Sequence, residues 1–183
     1  MPEPLAEHVR PIRRAEYERM VETGVFGDDR IELLYGMIVR MTPHGPPHDA
    51  TLSRLARLLE RAIPPSAEVR IQCSFAASDG SEPEPDVAVV PHRDYDEAHP
   101  SQAFLIVEVA HSSLAIDRGA KARLYAECGV PEYWVVDVVG RCVEVHAEPL
   151  DGAYCSIVKR DRSEAIELIA LAGVRVEIDR FVR

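Results

Sequence analysis

Two carboxylates and one amine stand out in this 183-residue chain for where they sit. Glu108 interrupts the apolar run Phe104 to Val109, where an isolated charge is costly unless something pairs with it. Asp86 directly follows Pro85, a position where the backbone is already extended, and opens the apolar run Val87 to Val90. Lys121 is one of only two lysines among 21 basic residues, the other being Lys159. A chain that uses arginine nearly everywhere has kept a compact ammonium there. Carboxylates converging from adjacent strands supply the hard oxygen ligands that magnesium prefers alongside water and phosphate oxygens. Such an ion lowers the pKa of a bound water and neutralises charge on a reacting phosphate, and a nearby ammonium can orient that water. The set suits phosphodiester hydrolysis. Each residue also has a plainer reading: Asp86 as a turn residue, Glu108 as a strand end reaching water, and Lys121 in a solvated helix pair with Asp117.

The elements around these residues come from periodicity. Phe104 to Val109 reads as a buried strand. Ser112 and Ser113 can cap a helix from Leu114 to Cys128, which Gly129 and Pro131 stop. Asp117, Lys121 and Tyr125 then share one helical stripe at i, i+4, i+8. A strand from Glu132 to Val138 completes a β-α-β unit whose two strands should be parallel. Upstream, Ile12 to Glu22 reads as an amphipathic helix closed at Gly24, and Asp28 to Val39 as a hairpin-like pair of short strands bent around Tyr35-Gly36, with Glu32 facing opposite Ile31 and Leu33. Thr42 to His48 reads as a loop, followed by a helix from about Asp49 to Ile63 that Pro64-Pro65 ends. Glu68 to Ala76 and Val87 to Val90 read as strands, and residues 91–102 as a loop. Hairpins are expected across Pro149 to Gly152 and near the C-terminus. The sum is an α/β (α+β) fold, a mixed central sheet flanked by two or three helices.

Composition bounds the function. The length fits one domain, expected over residues 12–183 behind a loose tail at 1–11. The four cysteines, Cys73, Cys128, Cys142 and Cys155, form no C-x-x-C pair, so neither a zinc ribbon nor a disulfide scaffold is signalled. No basic-then-apolar leader and no apolar run near ~18 residues is legible, so a cytoplasmic location without membrane association is expected. A net charge of −10 argues against a broad basic surface for nucleic acid, though not against a local groove. His44 and His48 are spaced as a helical metal pair would be, but Gly45-Pro46-Pro47 between them prevents a helix, which argues against that use.

Asp86 after Pro85, Glu108-Val109 and then Lys121 resemble the PD-(D/E)XK nuclease signature with its lysine moved to the following helix. Glu32 in IELLYGMI, the Pro-Pro-His48 loop, PDVAVV and above all EVAHSSLAIDRGAKARLYAECGVPEYWVVD are similar to the Uma2 family (DUF820) of restriction endonuclease-like proteins, from about Ile12 to the C-terminus. The resemblance implies a restriction-endonuclease-like core, a homodimer, and magnesium-dependent cleavage of DNA, with Mn2+ as an alternative ion. By position it implies Asp86 and Glu108 as metal ligands, Lys121 as the catalytic lysine, Glu32 as an accessory carboxylate, and Tyr125 as a residue that places the lysine or the substrate. His48 is a weaker candidate, a histidine at a helix start being the plain alternative. His111 stands where the family commonly has an acidic residue. A non-catalytic binding or structural module on the same fold, or a hydrolase of another phosphoester, would use the same framework.

Overall fold

Strands that are apolar at nearly every position have both faces covered, and the three strands at the centre of this molecule's sheet are of that kind. The computed structural model describes residues 9–183, so most of the tail expected at residues 1–11 lies outside the described residues. The order of elements is α1 (Arg14–Glu22), β1 (Ile31–Leu34), β2 (Met37–Arg40), α2 (Pro46–Ala62), β3 (Ala67–Ile71), β4 (Val87–Pro91) and β5 (Leu105–Ala110). Next along the chain, without a break, come α3 (Leu114–Ile116), a π-helical turn (Asp117–Lys121) and α4 (Ala122–Glu127). β6 (Glu132–Asp137), β7 (Cys142–Leu150), β8 (Ala153–Asp161), β9 (Ala165–Glu167), β10 (Arg175–Glu177) and a 3-10 turn (Ile178–Arg180) complete the chain.

Six strands form one mixed sheet in the order β3-β4-β5-β6-β7-β8. The β5–β6 pair is parallel, as the β-α-β reading requires, and the other pairs are antiparallel. Alternation along the strands sorts the core into two layers. Val87, Val89, Leu105, Val107, Val109, Trp134 and Val136 cluster with Leu52, Leu55 and Leu59 of α2 and with Phe181. Ala88, Val90, Ile106, Ala110, Tyr133 and Val135 cluster with Ala122, Tyr125 and Ala126 of α4. Burying a leucine as fully as Leu55 or Leu59 is worth roughly 1.5–3 kcal/mol, so each layer anchors its helix firmly.

The same alternation decides which way the acidic side chains point. Asp86 and Glu108 lie two residues from Ala88 and from Ile106 and Ala110, and so belong to the α4 face of the sheet. The β4–β5 register, with Val87 opposite Val107, continues to set Asp86 across from Glu108.

β3 is shorter than the alternation from Glu68 to Ala76 suggests. It ends at Ile71 because Gln72 takes a left-handed backbone, φ 48°, held by its N–H donating to the Asp86 carbonyl at 3.1 Å. The β1–β2 hairpin turns on Tyr35 and Gly36, both at positive φ. It docks sideways on the segment before β4, where Leu33 and Glu82 exchange two backbone hydrogen bonds of 3.2 and 2.8 Å. Among the described residues no helix is long and apolar enough to cross a membrane.

The docking seam buries the Glu82 side chain, and burial, reinforced by the nearby Glu18, pushes its carboxyl up to about 7. A folded-state pKa above the unfolded value of 4.5 means that the stability Glu82 supplies is present below pH 4.5 and is lost as pH rises through about 7. Glu82→Gln, which mimics the protonated form, should therefore be nearly neutral at pH 5 and stabilising at pH 8, by up to about 3 kcal/mol. Denaturant unfolding at the two pH values measures it. A difference between variant and parent that does not change with pH would contradict the assignment.

Candidate active site

The strand that carries Glu108 buries its side chain, so its charge must be met from other elements. The helix after β5 meets it. Lys121 Nζ lies 3.0 Å from Glu108 Oε1, and the Tyr125 hydroxyl donates to the same oxygen at 2.9 Å. A third element closes the group: Glu32, on β1, brings its Oε2 to 3.0 Å from Lys121 Nζ. The Glu84 backbone N–H donates to that Glu32 oxygen at 3.2 Å. Lys121, Glu108 and Glu32 are all buried, so the solvated Asp117–Lys121 helix pair is not what forms.

Burial alone would lower the lysine's pKa, but Glu108 and Glu32 outweigh it and hold the ammonium charged. Burial pushes Glu108 up, with Lys121 opposing and the neighbouring Asp117, Asp86 and Glu32 adding to the rise. Burial also raises the Tyr125 hydroxyl well above its ordinary range, which keeps it a donor to Glu108.

Asp86 reaches the same cleft from the start of β4. Its Oδ2 accepts the Val109 backbone N–H at 2.8 Å and lies 3.1 Å from His48 Nε2, while Gln72 Nε2 donates to Oδ1 at 3.2 Å. Burial alone would raise its pKa; the His48 partnership reverses that, and the net is lowered. Desolvation opposes charge on His48, yet its contacts with Asp86 and Asp49 leave its pKa raised.

A helix starting at about Asp49, as the sequence suggests, would leave His48 in the preceding loop. The helix begins instead at Pro46, because proline is well accommodated in a first helical turn whose N–H groups have no intrahelical acceptor. His48 therefore sits in the first turn of α2. His44 lies before the helix, so no helical i, i+4 pair exists, yet its ring stacks on that of His48 with centroids 3.9 Å apart. A ring nitrogen of His44, one of His48 and an oxygen of Asp86 lie within 4.8 Å of one another.

Asp117 differs from the surface partner that its helical spacing suggests. It lies buried at the start of the π turn, with Oδ2 lacking any hydrogen-bond partner. A π turn takes one residue more than an α turn and rotates the rest of the helix, which no propensity scale announces. Burial raises the pKa of Asp117. His111 is exposed at the mouth of the cleft. Glu32, Asp86, Glu108, Asp117, Lys121 and His48 line one open cleft of about 90 Å³, with Tyr125 closed off behind Glu108. Each of the five residues singled out in the sequence thus lies in the cleft or directly behind it.

Over residues 14–179 the sequence matches the family described as "Uma2: Putative restriction endonuclease". The chain belongs to the Uma2 family. Its fold is similar to that of a protein from Anabaena variabilis described as a putative nuclease belonging to DUF820, with a TM-score of 0.74 over 93% of this chain and 97% of that one. The two are 14% identical, so that likeness speaks for the fold. A comparison with curated proteins gives no match.

In this Uma2 chain the cleft carries an excess of negative charge. Lys121 is shared by two carboxylates, and Asp86 and Asp117, whose Oδ2 has no hydrogen-bond partner, add to them. Removing the ammonium should be costly. Lys121→Met leaves two buried carboxylates facing one another, an expected loss of about 3–5 kcal/mol at pH 8. One carboxylate can recover by taking a proton, which raises its folded-state pKa, so the loss should shrink as pH falls toward 5. Combining the change with Glu108→Gln should restore part of the stability at pH 8. An unaltered denaturation midpoint in Lys121→Met at pH 8 would mean the trio is not coupled.

Proposed function

We propose that this Uma2 chain is a metal-dependent endonuclease that hydrolyses phosphodiester bonds in DNA. The observation that carries the reading is the meeting, in one open cleft, of Asp86 just before β4, Glu108 from β5 and Lys121 from the following helix. Asp86 and Glu108 lie on the same face of the sheet, where the β4–β5 register carried on by one residue sets them opposite one another, which supports their sharing an ion. The unpartnered Asp117 oxygen and the surplus of carboxylates fit a cleft that receives a cation. A bound divalent ion would supply Lewis acidity toward a phosphate oxygen and a more acidic water.

The chain's own groups have separable tasks. Asp86 and Glu108 would hold the ion. Lys121, held charged, is suited to donate to a phosphate oxygen or orient a water, and is unsuited to remove a proton. Tyr125 fixes the Glu108 carboxylate through Oε1. Glu32 holds Lys121 from the opposite side and keeps the β1–β2 hairpin against the cleft.

A homodimer would set two clefts against the two strands of a duplex. Exposed Leu150 at the end of β7 and Ile157 and Val158 on the unpaired edge strand β8 support such pairing.

The purified chain should nick supercoiled plasmid DNA when Mg2+ or Mn2+ is added and stop when EDTA removes it. Asp86→Asn, Glu108→Gln and Lys121→Met should each lower the rate by about 100-fold or more. Glu132→Gln, a buried carboxylate outside the cleft, should leave cleavage near the parent's rate. Cleavage that survives EDTA, or cleft variants as active as the parent, would end the proposal.

A further inference from the structure

Asp86 has a second set of neighbours that phosphodiester chemistry on oxygen ligands does not require. The geometry points to a transition-metal site formed by His44, His48 and Asp86, which takes a borderline divalent ion of the Fe2+ to Zn2+ series in preference to Mg2+. This deepens the proposed nuclease reading by naming the class of metal, and rests on that reading only for the ion's use in hydrolysis.

The donor atoms come from three places: the loop before α2, the first turn of α2, and the start of β4. They lie within 4.8 Å of one another, and His48 Nε2 and Asp86 Oδ2 are already 3.1 Å apart. Ligands around a tetrahedral ion at 2.0–2.2 Å stand about 3.4 Å apart, so modest side-chain movement completes the set. The surroundings match those of a built site. His48 Nδ1 lies 3.1 Å from Asp49 Oδ1, so an Nδ1–H donated to that carboxylate would leave Nε2 free to exchange its own proton for an ion beside Asp86. Gln72 Nε2 lies 3.2 Å from His44 Nδ1 and 3.2 Å from Asp86 Oδ1, joining two of the three proposed ligands. Gln72 does this from a left-handed backbone conformation, φ 48°, that side chains adopt rarely and that is retained where surrounding structure enforces it.

The ligand set decides the ion. Magnesium, like Mn2+, takes oxygen ligands, and Mg2+ releases its waters reluctantly, whereas imidazole suits Fe2+, Ni2+, Cu2+ and Zn2+, with affinity rising from Fe2+ through Co2+ and Ni2+ to Cu2+ and falling back at Zn2+. Asp86 is common to this site and to the oxygen site proposed with Glu108, so its carboxylate would serve both ions if both were bound.

Co2+ is the probe, because its visible d–d bands report both binding and coordination number. Metal-free full-length protein titrated with Co2+ should develop bands that Zn2+ abolishes at equal concentration and Mg2+ leaves in place at a thousandfold excess. His44→Ala and His48→Ala should each weaken Co2+ binding by about 100-fold. Asp49→Asn, an exposed change that spares the core, should weaken it by about 10-fold through the orientation of His48. Absence of the bands, bands unaffected in both histidine variants, or displacement by equimolar Mg2+ would overturn the site. Mg2+-dependent cleavage without Co2+ binding would sink this site and leave the nuclease standing. Co2+ binding without cleavage under any ion would do the reverse.

Discussion

A charged amine with almost no water around it is the constraint on which the rest of the cleft depends. Lys121 is buried between Glu108 and Glu32, each at 3.0 Å. Desolvating an ammonium costs several kcal/mol, and one carboxylate at this distance roughly offsets that cost. The second carboxylate makes the site acidic overall. Asp86 and Asp117 face the same opening, so carboxyl groups outnumber the lysine and arginine side chains that line it. A cleft with that imbalance is stable as an open, wetted feature or as a cation site, and it could not be closed over as core.

Glu132 shows the alternative. It is as buried as Glu108, yet its oxygens accept from Trp134 Nε1 at 2.7 Å and from the Ile169 backbone N–H at 2.8 Å, both neutral donors on the C-terminal side of the sheet. That carboxylate ties β6 to the segment between β9 and β10 and faces no other acid. The two residues are one strand apart in a mixed sheet, but one is satisfied by dipoles and the other by an ammonium shared with a second acid. The difference separates a carboxylate that holds the fold together from one that stays available to chemistry.

The strands are legible in the sequence because each carries its burial pattern in its own residues. Val87 to Val90 is a continuous apolar run, Leu105 to Ala110 is broken only by Glu108 and Tyr133 to Val136 is apolar throughout, and the helix between the last two strands is what a parallel pair needs. The meeting of Asp86, Glu108 and Lys121 is legible for the same reason, since strand alternation and one short helix suffice to bring them together. Two features are not. The π turn inserts a residue into the helix and carries Asp117 inward, an outcome set by packing against the sheet. The histidine cluster escapes a reading of the sequence because Pro46-Pro47 looks like the end of structure when, at a first helical turn, proline begins it. Gln72 gives no signal at all, since its role depends on a backbone conformation its side chain does not favour.

The choice of lysine in a chain that otherwise uses arginine has a geometric basis. Guanidinium is a planar fork with five N–H donors, and burying it between Glu108 and Glu32 would leave several of them needing acceptors in a small space. An ammonium has three. Two face Glu108 and Glu32, and among the described residues neither ion pair nor hydrogen bond engages a third protein group. Lys121 lines the cleft, so the remaining donor can meet only what enters from solvent. With both carboxylates fixed in turn, Glu108 by Tyr125 and Glu32 by the Glu84 backbone, the ammonium has little freedom to turn away. The residues that make a buried Lys121 tolerable inside the fold are therefore the same ones that hold its last N–H toward the opening, where an incoming anionic oxygen would find it already oriented.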